Sequence, residues 1–432
     1  MAAPRRLTLF DCIAIGINGI IGSGIFLLPG WVASGARSLS PLAFVACGAM
    51  CTLVALCYAE VGGMFERSGG TYLYAREALG SVVGFGVGWL VLVSCIFGYA
   101  SIARGFGEEV ARGLALPAGA APAVAASLIL LLGVLNWRGL KTGAGTSDVL
   151  TVVKVLALVL FVAVGMFFVS RENVTALGTP DLKGFGEGMF AALFTLSGFE
   201  FVAVVAGETE NPRRNIPLSI VGSLVGAVVL YALIQLVIIG TLPTVTSAKA
   251  PMVEAASAFG DGPAEVAFRL AGLVSMVGFC SGSALVGPRL VASLARDGVL
   301  PKAVASRSEQ GTPNLGIALV TGGAMLAVAF LGFKELADLT IVTLFAQYVP
   351  TTLAVIVFRI RRPNAPRLFR VPLGPVIPVL ALAIMTLLIT RIGSKALITT
   401  GVILAIGAVV VLLTRLVEGK PAASAGEGPT SS

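Results

Sequence analysis

The sequence contains no histidine. That removes serine and cysteine nucleophiles activated by His, His-bound zinc and haem, and every imidazole proton relay. Charge is scarce as well. Asp, Glu, Lys and Arg make up 12% of the 432 residues, half the roughly 25% usual in a soluble domain. Hydrophobic residues reach 56% over a length that would normally mean two or three soluble domains, so the solvent of this chain cannot be mainly water. Six cysteines (Cys12, Cys47, Cys51, Cys57, Cys95, Cys280) sit in apolar runs without a CxxC pair. They read as small apolar fillers, not as a disulfide framework or metal site, and no cofactor is implied. Paired Asp residues inside the apolar runs are missing too. Without them and without His, the sequence argues against a membrane-embedded protease or acyltransferase, and the chain is not expected to be an enzyme. The net charge of +8 is strung between apolar segments, which fits a membrane with a basic cytoplasmic side and argues against nucleic acid.

What is present is a succession of apolar stretches. A bilayer core about 30 Å thick needs roughly 20 apolar residues per helix. Stretches of that kind lie at about 8–34, 40–65, 82–103, 121–136, 146–169, 185–207, 216–241, 264–294, 314–333, 336–359, 372–391 and 396–416. These predict an all-α integral membrane protein of about 12 transmembrane helices, multi-pass in the cell's inner membrane, with both termini on one side. Residues 1–7 form a short N-terminus, and the Pro-, Gly- and Ser-rich 417–432 a disordered tail. With the N-terminus inside, the loops on that side carry Arg5, Arg6, Arg67, Arg76, Arg138, Lys141, Arg213, Arg214, Arg289, Arg296, Lys302, Arg307, the cluster Arg359 to Arg370, and Arg415. Fewer basic residues, among them Arg37, Arg104, Arg112, Lys249, Arg269 and Arg391, fall opposite. The excess of about two to one places both termini in the cytoplasm. The Arg359–Arg370 cluster reads as a topology anchor before it reads as a lipid site.

Two stretches resist a continuous helix. The first, Ile15 to Phe26, holds Gly16, Gly19, Gly22 and Gly24, each costing about 1 kcal/mol of helix stability relative to Ala. Gly16, Gly19 and Gly22 also suit a close-packing face. The tight Gly22-Ser23-Gly24 does not, because its glycines fall on different faces. The second is Phe194-Thr195-Leu196-Ser197-Gly198-Phe199-Glu200, with a carboxylate deep in the membrane. The two lie five spans apart, and an odd number of helices per unit makes the units inverted. Interruptions at matching places in inverted halves point to a transporter's central binding site. Freed N–H groups at Gly22, Ser23 and Gly24 suit a carboxylate, and freed carbonyls suit an ammonium group. A zwitterion fits between them.

These motifs resemble those of the amino acid–polyamine–organocation (APC) transporter superfamily. Ile21-Gly22-Ser23-Gly24-Ile25-Phe26 is similar to its glycine-rich substrate motif, and Phe194 to Glu200 to the break in its sixth helix. Glu208 to Pro217 resembles the loop before helix seven. Arg289, Ala295-Arg296-Asp297-Gly298 and Leu300-Pro301 resemble the loop after helix eight. Tyr58-Ala59-Glu60 with Ser68-Gly69-Gly70-Thr71-Tyr72 is similar to the helix two–three region. The resemblance spans about residues 8 to 416. It implies a LeuT-like 5+5 inverted repeat, residues 8–171 and 185–360, followed by two further helices at 372–416. It also implies alternating access around one amino acid. Carried over by position, Gly22, Ser23 and Gly24 would bind the α-carboxylate. Carbonyls at Ile20, Phe194, Thr195 and Ser197, beside Gly198, would meet the ammonium, with Phe194 as an aromatic lid.

Lys154 sits within Leu150 to Ala157, inside the fifth stretch, where insertion costs on the order of 3 kcal/mol. Such a residue needs a partner, and the expected ones are carbonyls around Gly16 to Gly19 with Ser281 or Ser283. In similar sodium-independent members a lysine in this helix replaces a sodium ion, so the resemblance implies that no sodium is needed. Lys154 and Glu200 are the two candidates for carrying a coupling proton. The pocket inventory (Ser23, Phe194, Ser197, Phe199, Ser281, Gly282, Ser283) is small and mostly neutral. It points to neutral amino acids, with cationic amino acids or polyamines as the alternative. Proton symport and exchange (antiport) stay open, and a membrane amino acid sensor is the alternative of another class. Residues 104–120 lack the cysteine that tethers some relatives to a partner subunit, so no disulfide-linked partner is expected.

Overall fold

The computed structural model describes residues 6–65, 70–138, 144–205, 208–260, 262–296, 300–306, 312–367, 369–390 and 394–418. Arg5, Arg67, Ser68, Gly69, Lys141, Asp297, Gly298, Arg307 and Arg391, and the tail from 419 onward, lie outside the described residues. Among the described residues, helices make up all regular structure save one isolated parallel bridge, Leu7 to Thr209. In chain order the α-helices are α1 Leu9–Ile20, α2 Gly24–Leu27, α3 Pro29–Ala36, α4 Ser40–Gly62, α5 Gly70–Leu79 and α6 Ser81–Gly113. Next come α7 Ala121–Trp137, α8 Ala144–Gly165, α9 Arg171–Ala176, α10 Leu182–Leu196, α11 Phe201–Val204 and α12 Pro212–Thr241. The last are α13 Pro251–Ala256, α14 Pro263–Arg296, α15 Asn314–Phe330, α16 Phe333–Arg361, α17 Val376–Ile389 and α18 Ser394–Glu418. Every apolar stretch marked in the sequence coincides with a helix or a pair of half-helices, and eight of these segments are long and apolar enough to cross a membrane. α6 runs ten residues past the expected end at 103, because Arg104 pairs with Glu108 (3.1 Å) and Arg112 with Glu109 one turn apart, so the helix continues in charged form.

Helix faces follow from side-chain periodicity. On α8, Thr151, Lys154, Leu158 and Phe161 are buried while Val152, Val153, Leu156, Val159 and Leu160 are exposed. The buried positions recur at three and four residues, and the exposed apolar ones form the surface that a bilayer would cover. Small residues let backbones approach: a Cβ on Gly35 of α3 would lie 2.7 Å from the Gly184 carbonyl oxygen of α10.

The end at which α1 begins is called lower here. There Glu60 of α4, 1% exposed, accepts from Arg359 Nε (2.9 Å) and the Val371 amide (2.7 Å), with Arg367 Nε at 3.5 Å. Arg367 further donates to the carbonyls of Phe358 and Arg362. Burial pulls the Arg367 guanidinium down from its ordinary value, and Glu60 opposes that. Arg359 and Arg367 thus fasten the segment after α16 to α4, and neither guanidinium is left over for a lipid headgroup.

Candidate substrate site

Both interruptions exist as chain breaks. α1 stops at Ile20, and residues 21–23 turn before α2 restarts at Gly24. α10 stops at Leu196, Ser197 is extended, and Gly198 takes φ +110°, a conformation closed to L side chains. The breaks touch. A Cβ on Gly198 would fall 2.1 Å from the Gly19 carbonyl oxygen, and one on Gly19 would fall 2.6 Å from that of Gly198. Gly16 and Gly19 therefore act as packing residues inside α1, Gly16 against Ser223, and the chain opens only after them.

The carbonyls freed at the first break are held by side chains. Ile20 O accepts from the Gly22 amide (3.0 Å) and the Tyr231 hydroxyl (3.2 Å). Ile21 O accepts from Lys154 Nζ (2.9 Å) and Ser275 Oγ (3.2 Å), and Gly22 O from Ser275 Oγ (3.4 Å). Lys154 also donates to the Asn18 side-chain oxygen. The lysine is 1% exposed and lies between the first apolar stretch, its own α8, and α14. Its partners differ from those expected: Asn18 and Ile21 replace the carbonyls of Gly16 to Gly19, and the nearby α14 hydroxyl is Ser275, two helical turns before Ser281 and Ser283. Asn18 carried a legible signal, being a polar residue inside an apolar run.

The amide groups stay open. Among the described residues, none accepts from the N–H groups of Ser23, Gly24 or Ile25, and none donates to the Ser197 carbonyl. Phe194 O accepts the Ser197 hydroxyl (2.8 Å). Between the breaks lies a small cavity. Of the expected residues, Ile20, Gly22, Gly24, Phe194, Ser197, Gly198 and Glu200 line it. Ser23 and Thr195 do not. The Ser23 side chain is fully buried with its hydroxyl unpartnered, and its Cβ faces Gly105 of α6. Thr195 packs on Gly24 and returns its hydroxyl to Ala192 O (2.7 Å). Lys154, Ser281 and Ser283 also stand outside the lining, and Phe199 is buried against Tyr58 and Tyr348.

Sequence reasoning missed the wall opposite the breaks: Ser94, Gly98 and Ile102 of α6, Phe279 of α14, and Thr340 and Leu344 of α16. These sit in unbroken helices, where nothing but a lone Ser in an apolar run marks them. Thr340 returns its hydroxyl to Leu336 O (2.7 Å) and shows its methyl to Gly98. Glu200, 5% exposed, accepts from the Gly198 amide (3.0 Å) and the Tyr348 hydroxyl (3.2 Å). Above the cavity, Phe194 meets Phe333 edge-on (centroids 6.1 Å apart), Phe333 meets Trp31, and Lys334 lies over Trp31 (4.9 Å).

A chain of apolar helices with glycine-opened breaks around a cavity is also matched, as a sequence, by a family profile. The profile described as amino acid permease covers residues 7–414. This chain is a member of the amino acid permease family. It is thereby an APC superfamily transporter, a multi-pass membrane protein whose relatives are transporters and permeases of small molecules. The permease is 29% identical to the methylthioribose transporter of Bacillus subtilis, over 88% of this chain and 87% of that one. It is 27% identical to the branched-chain amino acid permease of the same organism, over 95% and 92%. To the serine/threonine exchanger, also of Bacillus subtilis, it is 27% identical over 88% and 89%. Membership therefore spans more than one substrate chemistry.

Proposed function

We propose that this permease is a sodium-independent secondary transporter of neutral amino acids working by alternating access. The observation that carries the reading is the contact of Gly19 with Gly198, which sets two open backbone segments around one cavity. The free N–H of Gly24 on the cavity wall, with those of Ser23 and Ile25 behind it, receives the α-carboxylate, and the carbonyls of Phe194 and Ser197 the ammonium. Ile20 O drops out of the earlier set, since Gly22 and Tyr231 occupy it. Neutrality of the side chain is supported by the lining, in which Glu200 is the one ionisable residue and is engaged by Gly198 and Tyr348. A cationic side chain would need a carboxylate free to meet it.

Sodium independence is supported by Lys154, whose ammonium holds the Ile21 carbonyl at the junction where a cation would otherwise sit. In this reading α1–α8 and α10–α16 are the two inverted halves, α17 and α18 are additions, and the termini are cytoplasmic. The test is uptake by purified protein in liposomes, using the proteinogenic amino acids with and without sodium, a proton gradient and internal amino acid. Neutral amino acids should enter without sodium. Uptake only against internal substrate selects exchange, and gradient-driven uptake selects symport. Binding without flux would make the protein a sensor. If no amino acid binds or moves, the reading fails.

A further inference from the structure

Two side chains of α12 grip the chain on either side of the first break. Tyr231 donates its hydroxyl to Ile20 O (3.2 Å), and Gln235 donates its NH2 to Pro29 O (3.1 Å). The two residues are one turn apart on a shared helix face, about 6 Å along the axis. α4 backs both of them. Phe44 meets the Tyr231 ring edge-on (centroids 6.0 Å apart), and Ser40 Oγ accepts from the Gln235 NH2 (3.0 Å). Between the two gripped carbonyls lie the turn at 21–23, α2, and Gly24 on the cavity wall.

Neither contact is needed to satisfy the backbone. Ile20 O already accepts from the Gly22 amide (3.0 Å), which closes an inverse γ-turn with Ile21 at φ −82°, ψ 87°. Pro29 is the first residue of α3, where its carbonyl enters that helix's own ladder. Gln235 is moreover fully buried with its Oε1 unpartnered. The NH2 must face the Pro29 carbonyl, so the oxygen is left on the unmet side. An unmet buried acceptor is destabilising, and a leucine of similar size would avoid it. A buried polar group that stability alone does not favour is expected where a position has to be held.

We infer that Tyr231 and Gln235 are positioning residues for the substrate carboxylate: by holding Ile20 and Pro29 they set the span of the break and aim the Gly24 amide into the cavity. The inference rests on the transporter reading above. Both side chains stand outside the cavity lining, so they act through the backbone and not on the substrate. A break released at one end samples other turns, and apparent affinity falls in proportion to the fraction that is competent to bind. Saturating substrate draws the break back into the competent turn. The maximal rate is therefore spared while the half-saturating concentration rises.

The experiment compares wild type with Tyr231→Phe, Gln235→Leu, the double variant and Ser40→Ala. Thermal stabilisation of the detergent-purified protein by a panel of proteinogenic amino acids gives apparent affinity, and the unliganded melting temperature gives stability. Uptake of the same radiolabelled amino acids into liposomes, over a concentration series, gives the half-saturating concentration and the maximal rate. Tyr231→Phe and Gln235→Leu should each weaken affinity about tenfold, the equivalent of about 1.4 kcal/mol, with the maximal rate within about twofold. Their unliganded melting temperatures should stay near wild type, because Ile20 O keeps the Gly22 amide and Gln235→Leu removes an unmet oxygen along with its bonds. The double variant should weaken affinity further. Ser40→Ala leaves the Pro29 contact in place and should keep affinity within about twofold. Affinity within about twofold of wild type in both single variants overturns the positioning role and leaves the transporter reading standing. Parallel falls in affinity, maximal rate and unliganded melting temperature would show a purely structural role and also overturn it. So would a loss in Ser40→Ala as large as that in Gln235→Leu, which would put the effect in the packing of α12 on α4. A wild type that no amino acid stabilises or crosses sinks both.

Discussion

Gly198 and Gly19 meet backbone to backbone, with the Gly19 carbonyl oxygen 2.1 Å from the place a Cβ on Gly198 would occupy. The last turn of α1 and the unwound point after α10, 179 residues apart in sequence by their numbering, are thereby registered against each other. Neither tolerates a side chain. Gly198 also sits at φ +110°, so Ala there adds backbone strain on the order of 1–3 kcal/mol to the clash. Gly198→Ala should abolish uptake in liposomes, and Gly19→Ala should reduce it at least about tenfold. Circular dichroism would check that both variants keep their helices.

Ser23→Ala is expected to leave substrate affinity within about twofold. Its hydroxyl faces α6 and has no partner, and deleting an unsatisfied buried polar group is neutral or favourable by up to about 1 kcal/mol. Thermal stabilisation by amino acids is the measurement. A loss of affinity beyond tenfold would place the hydroxyl on the substrate.

Lys154→Ala removes the donor to Asn18 and Ile21. Ile21 O keeps Ser275 Oγ, while the Asn18 side-chain oxygen loses its lysine donor, a change of about 1–3 kcal/mol, so the unliganded melting temperature should fall by a few degrees. Lys154→Gln keeps a donor and should recover part of it. Uptake under an imposed pH gradient in both variants separates a positioning lysine, for which Gln restores gradient-driven uptake, from a proton carrier, for which it does not.

Glu60→Gln breaks a buried ion pair with Arg359 and weakens the hold on Arg367 and the Val371 amide. Removing one partner of such a pair costs about 3–5 kcal/mol. The yield of monodisperse protein and its melting temperature should drop sharply. Amino acid affinity of whatever protein survives should be unchanged, since Glu60 is absent from the cavity lining.

Gly98 leaves room beside the Thr340 methyl, where an added Cβ would sit at an ordinary 3.8 Å. Gly98→Ala should be tolerated. Gly98→Val should shift uptake toward smaller amino acids, the leucine-to-alanine ratio falling about tenfold, which competition assays would read.

The breaks were legible in the sequence because glycine clusters and a buried carboxylate contradict the apolar helices around them. Lys154 was legible for the same reason. Its partners were not: which carbonyl a long side chain reaches depends on where the turn opens, and that is set by Tyr231 and Ser275 from distant helices. The far wall was hidden for a plainer reason. Gly98, Phe279 and Leu344 are ordinary helix residues, and only the packing of α6, α14 and α16 against the breaks turns them toward the cavity. Reading Ser281 and Ser283 as pocket residues followed from composition, whereas the helix phase of α14 delivers Phe279 and Ser275 to the breaks.

The bridge at Leu7 carries its own consequence. Its amide bonds Glu208 O and its carbonyl receives the Glu210 amide, both at 2.8 Å, while Glu208 reaches Arg289 at 3.7 Å. The foot of α1 and the segment behind α11 are laced together, and Arg289 of α14 reaches the same segment through Glu208. A downward-opening motion that tilted α1 by itself would have to unpick two backbone bonds that a joint swing of both feet keeps.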